Sequence, residues 1–84
     1  MFLHVTDLRY LEDYKLELSF SNGAIKEVDL KSELYGEVFE SLQEVEYFKQ
    51  VVINQETNTI EWPNGADFAP EFLHEIGKDI KQVA

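Results

Sequence analysis

The ten residues Trp62-Pro63-Asn64-Gly65-Ala66-Asp67-Phe68-Ala69-Pro70-Glu71 combine a large aromatic, two prolines, an Asn-Gly pair and two carboxylates. One reading makes Trp62, Asn64, Asp67 and Glu71 the rim of a surface for a ligand or a protein partner. The other needs no function. Pro63 ends a strand, Asn64-Gly65 supplies positive φ, and Asp67 bonds nearby backbone N–H groups as an Asx turn or near-cap. Glu71 places negative charge in the first turn of a helix, where it is favoured. Turn and cap chemistry accounts for each residue type, so the structural reading comes first.

A second set is acidic. Glu33, Glu37, Glu40 and Glu44 follow i, i+4, i+7, i+11 spacing, and no base occurs between Lys31 and Lys49. On a continuous helix they form one row, in which like charges at i,i+4 cost a few tenths of a kcal/mol each. Such a row is either a solvated face or the place where something basic docks. No loop has the oxygen-ligand spacing of a calcium site.

Catalytic and cofactor chemistry finds little to work with. His4 and His74 are the only histidines and share no metal-ligand spacing with each other. Cysteine is absent, and Ser19, Ser21, Ser32 and Ser41 lie in no nucleophile motif. Four scattered glycines build neither a P-loop nor a dinucleotide fingerprint. No metal, no cofactor and no enzyme activity are therefore expected.

The balance of 17 acids against 7 bases, a net charge of −10, repels DNA, RNA and anionic lipid; it either serves solubility alone or favours a basic protein as partner. No apolar run approaches the roughly 20 residues a membrane span needs. The N-terminal residues lack a signal-peptide pattern, and the absence of cysteine fits a reducing compartment. A cytoplasmic protein without membrane or direct nucleic-acid contact is the expectation.

The elements that must position these groups follow from periodicity. Eighty-four residues suffice for one domain (1–84). Residues 2–11 read as a strand whose alternation changes phase, which a bulge near Thr6-Asp7 reconciles. Tyr14, Leu16, Leu18 and Phe20 alternate with polar residues as a second strand, and Val28 and Leu30 lie on a third. A two-residue Asn22-Gly23 loop would put polar and apolar residues on one face. A three-residue loop, Ser21 to Gly23, pairs Leu16 with Val28 and Tyr14 with Leu30, with Gly23 left-handed in a G1 bulge.

Residues 31–50 read as mostly helical, broken near Tyr35-Gly36. Val51 to Ile53 and Thr59 to Trp62 form a hairpin around Glu56-Thr57-Asn58. Residues 70–83 form a last helix with Phe72, Leu73, Ile76, Ile80 and Val83 on one face, Pro70 at its first position, and Lys78 and Lys81 near its C-terminal end. The result is an α+β fold: an antiparallel sheet of about five strands in β-β-β-α-β-β-α order, with helices packed on it. An exposed edge strand would allow a homodimer.

Several stretches, taken in order, match a known pattern: Leu16-Glu17-Leu18-Ser19-Phe20-Ser21-Asn22-Gly23, Val28-Asp29-Leu30, Gly36-Glu37-Val38-Phe39-Glu40-Ser41-Leu42, Phe48, and Ile60-Glu61-Trp62-Pro63-Asn64-Gly65-Ala66-Asp67-Phe68-Ala69-Pro70-Glu71. The chain thereby resembles the bacterial domain of unknown function 2442 over nearly its whole length. The resemblance implies a small α+β domain and no activity, cofactor or catalytic set. It also implies two contexts. Some members carry a following helix-turn-helix domain; others look like small stand-alone proteins encoded beside another small protein, an arrangement that resembles a toxin–antitoxin pair. The expectation is a non-enzymatic protein-interaction or antitoxin-like module. A small-ligand sensing or regulatory domain is the alternative, and a carboxylate-dependent enzyme is a distant third.

Overall fold

The hairpin made by the first two strands sets the frame. A computed structural model describes residues 2–80. Strands β1 (Val5–Glu12), β2 (Lys15–Phe20) and β3 (Ile25–Asp29) pair antiparallel, and β3 also pairs antiparallel with a short last strand, β6 (Lys78–Asp79). Strands β4 (Val52–Asn54) and β5 (Thr59–Glu61) form a separate two-stranded sheet. The expected single sheet of about five strands is thus a four-stranded sheet plus a two-stranded hairpin. The α+β class and the order of the first five strands are as expected.

Register follows the apolar pattern. Leu16 faces Val28 across β2 and β3, and the Leu30 N–H donates to the Tyr14 carbonyl at 2.9 Å. Phe20 meets Ala24 around the three-residue loop, with Gly23 at φ 88°. Leu16, Leu18, Phe20, Val28 and Leu30 are all buried. The bulge expected near Thr6-Asp7 is present as a register shift between Val5 and Asp7, with a second between Tyr10 and Glu12. Arg9, opposite Glu17, forks both carboxylate oxygens at 3.0 and 3.2 Å.

The longer helix expected after the break at Tyr35-Gly36 does not form. One turn of 3₁₀ helix (Lys31–Glu33) is followed by α1 (Glu37–Glu40), another 3₁₀ turn (Ser41–Gln43) and α2 (Val45–Phe48). Gly36, at φ 90°, makes the first break where the sequence placed it. Glu44 makes a second, with φ −77° and ψ 116°. Side chains take over backbone partners here: Gln43 Nε2 donates to the Leu34 carbonyl at 2.6 Å, and the Tyr14 hydroxyl donates to the Gln43 carbonyl. The acidic row is therefore broken twice: Gly36 parts Glu33 from Glu37 and Glu40, and Glu44 belongs to an extended link.

The last helix, α3 (Pro70–Ile76), also ends earlier than its apolar spacing predicts. Gly77 turns out of the helix at φ −72° and ψ 152°. Lys78 and Asp79 then pair with Glu27 and Lys26, and the Ile80 N–H donates to the Ile25 carbonyl at 3.0 Å. Lys78 thus lies in a strand, not at a helix end; Lys81 and Val83 lie outside the described residues. Lys26 explains the exit: its ammonium donates to the His74 carbonyl at 2.9 Å and lies 3.6 Å from Asp79. A Cβ added at Gly77 would stand 2.9 Å from Lys26 Cβ and 3.0 Å from the Leu73 carbonyl oxygen. Both are near-backbone atoms that cannot swing aside. Gly77→Ala is expected to cost about 1–3 kcal/mol through overpacking alone, since its φ is ordinary. Urea unfolding followed by circular dichroism measures it.

Phe48, Trp62, Leu42, Ile60 and Leu73 complete the core with the sheet residues, all essentially without solvent exposure. Tyr10 and Tyr14 lie edge-on against Phe48, at ring distances of 6.3 and 5.4 Å. Partial burial pushes the Tyr10 hydroxyl above its ordinary pKa, and Asp13, Glu46 and Glu12 add to the rise. The neutral phenol is the form the fold prefers. Its contribution is complete below the unfolded value near 10.0 and is lost as pH rises through the higher folded value. Ultraviolet difference titration should show one tyrosine ionising late, and Tyr10→Phe should remove that late component and flatten the alkaline decline in stability. Among the described residues, no helix is long and apolar enough to cross a membrane.

Candidate functional site

The residues singled out around Trp62 do not converge. Trp62 is 1% exposed, and its indole N–H donates to the Phe48 carbonyl at 2.8 Å. It is a core residue, not part of a rim. It follows β5 directly and has the parity of fully buried Ile60, because an extended chain sends alternate residues to the same face. Asn64 is exposed but occupied: its Oδ1 accepts from the Ala66 N–H at 3.0 Å and its Nδ2 donates to the Val38 carbonyl at 2.9 Å. With Gly65 at φ 88°, Asn64 builds the turn. The capping role expected of Asp67 is not the one it takes. Ala69 stands at the N-cap of α3, and Asp67 lies opposite Glu61 in an isolated bridge. Glu71 lines a shallow hollow with Phe2, His4 and Thr57, away from Asp67.

Asp67 instead borders a hollow of about 360 Å³, lined by Glu33, Tyr35, Phe39, Phe68, Ala69 and Phe72. Its floor is an aromatic ladder. Phe39 and Phe68 stack at 4.8 Å with planes 27° apart, and Phe68 and Phe72 at 5.8 Å and 17°. Trp62 supports Phe68 from the core, edge-on at 5.9 Å. Tyr35 is 71% exposed at the margin, and Val38, three residues on in sequence, is 50% exposed. Large apolar side chains left in water at one place mark a surface that meets something.

The walls are fixed by backbone bonds. Thr59, buried, donates its hydroxyl to the Phe68 carbonyl at 2.6 Å. Gln43 and Asn64 hold the Leu34 and Val38 carbonyls on either side of Tyr35, and the Gly36 carbonyl accepts from Phe39 and Glu40. The hollow is therefore preformed, with two carboxylates on its border. Glu33 is steadied by a 3.2 Å bond from the Ser32 hydroxyl. Glu37, Glu40 and Glu44 are exposed nearby in sequence.

The charge of the chain concentrates in this part. Residues 32–77 hold ten of the 17 acids and a single base, Lys49. The sequence signals for the hollow are the Phe68-to-Phe72 spacing and that near-absence of bases.

Other groups have structural employment. His74 Nε2 lies 3.1 Å from Asn22 Nδ2, and its ring packs edge-on to Phe20 at 5.1 Å. His4 joins Ser21 through its backbone, donating to the hydroxyl and accepting from the N–H, each at 2.9 Å. Among the described residues, no group of three or more His, Asp or Glu side chains could hold a metal ion.

A family model described as protein of unknown function, DUF2442, matches residues 5–79. The chain belongs to that family. The matched region takes in every strand and helix described above, so the hollow, the Trp62 turn and the β6 return all lie within the DUF2442 domain. No curated protein and no solved structure matches this chain.

Proposed function

We propose that this DUF2442 protein is a non-enzymatic protein-interaction domain whose partner is basic. The observation that supports the reading is the coincidence of a preformed, exposed aromatic hollow with the most acidic part of the chain. Apolar contact supplies affinity at such a surface, while charge selects the partner and speeds the encounter. In its antitoxin-like form, the partner is a basic protein that the acidic chain holds inactive. Affinity capture from native cytosol should recover a specific basic protein, released as salt rises and screening shortens the reach of charge. Recovery of no specific protein at any ionic strength sinks the reading.

One observation favours a small-ligand sensing role instead: the hollow's volume lies within the roughly 300–1,000 Å³ of typical ligand sites. Binding of a metabolite from a cytosolic extract to the purified chain, with no protein partner recovered, would favour that alternative.

A further inference from the structure

We propose that the aromatic hollow between α1 and the start of α3 is an arginine-binding site that receives the side chain of a basic peptide segment. This rests on the interaction reading and names the chemistry of the contact.

Three features select the occupant. The lining offers ring surface from Tyr35, Phe39, Phe68 and Phe72, and Tyr35 is largely exposed. A guanidinium is flat, weakly hydrated and able to stack on such rings, whereas an ammonium holds its water more strongly. Glu33 and Asp67 stand on the border with no base among the lining residues. A guanidinium can fork a carboxylate through two parallel N–H groups while its stem lies along apolar surface. Finally, the backbone of both walls is held by Thr59, Gln43 and Asn64, so binding orders little that is not already ordered. An acidic or neutral partner would leave Glu33 and Asp67 uncompensated beside a newly dried surface.

The test uses the purified chain and a capped Gly-Arg-Leu-Arg-Gly peptide, with matched peptides carrying lysine or citrulline in place of arginine. Amide chemical shifts are followed by two-dimensional NMR at low salt. Saturable changes are expected at Tyr35, Phe39, Asp67, Phe68 and Phe72, with the arginine peptide binding at least threefold tighter than the lysine one. Citrulline keeps the shape but not the charge, and should abolish saturation. Asp67→Asn and Tyr35→Ala alter exposed side chains, so both variants should stay folded, and each should weaken binding about two- to fivefold.

Equal binding of all three peptides, or shifts confined to another face, overturns the proposal. Shifts at the hollow that depend on protein concentration alone would show a second copy in it, and also overturn it. A native basic protein captured equally well by wild type, Asp67→Asn and Tyr35→Ala would remove this site while leaving the interaction reading standing.

Discussion

Trp62→Ala should cost about 3–5 kcal/mol, as truncation of a fully packed indole does elsewhere. A chain of this size has about 4–13 kcal/mol of total stability at 0.05–0.15 kcal/mol per residue, so the loss takes about a quarter of the total or more, and nearly all of it at the low end of that range. Two losses combine. The first is volume: Trp62 packs against Phe48 at 5.5 Å and under Phe68 at 5.9 Å, so its removal opens a cavity between the hairpin and the ladder. The second is the 2.8 Å bond to the Phe48 carbonyl, which becomes a buried acceptor without a donor. Trp62→Phe separates them. It restores most of the ring packing and loses only the bond, for an expected cost of about 1–3 kcal/mol. Because Trp62 is the only tryptophan, the comparison should be made by circular dichroism in urea rather than by fluorescence. A cost below about 1 kcal/mol for the alanine variant would return Trp62 to the surface role that its sequence neighbourhood suggested.

That role was inferred from company rather than parity. The Trp62–Glu71 run is rich in residues that act at sites, but the same types also make tight turns, and Asn64 and Gly65 are used that way. Legibility followed the range of the interactions. The β2 alternation, the Leu16–Val28 register and the left-handed Gly23 are local, and each was readable from a few residues. The acidic row was misplaced because the break at Glu44 lies beside Gln43, whose amide bonds Leu34 and whose carbonyl takes the hydroxyl of distant Tyr14. The end of α3 depends on Lys26, far away in sequence, reaching the His74 carbonyl. Periodicity extended that helix through Ile80, but strand pairing with β3 claimed those residues instead. The hollow needs Phe39 from one segment and Phe68 and Phe72 from another, so no single window of sequence contains it.

Phe48→Ala is expected to be as damaging as Trp62→Ala, and not additively so. Phe48 is fully buried in α2 and meets Tyr10 of β1, Tyr14 of the turn that follows it, and Trp62 at the end of the β4–β5 hairpin. Its ring joins one sheet to the other, and its carbonyl receives the indole N–H. Truncation removes the ring and leaves the carbonyl, for an expected loss of about 3–5 kcal/mol. The double variant should lose less than the two single losses combined, because either change alone already vacates their shared contact. A coupling of about 1 kcal/mol or more is expected, measured on a background stabilised enough for all four proteins to stay folded without denaturant. Strictly additive losses would mean that the two rings stabilise separate parts of the molecule. The link to binding is direct. Trp62 supports Phe68, and Phe68 is the middle rung of the ladder, so loosening this junction should weaken occupancy of the hollow even in variants that remain folded. Phe48→Leu, which keeps most of the volume, is the variant in which that transmission can be read apart from unfolding.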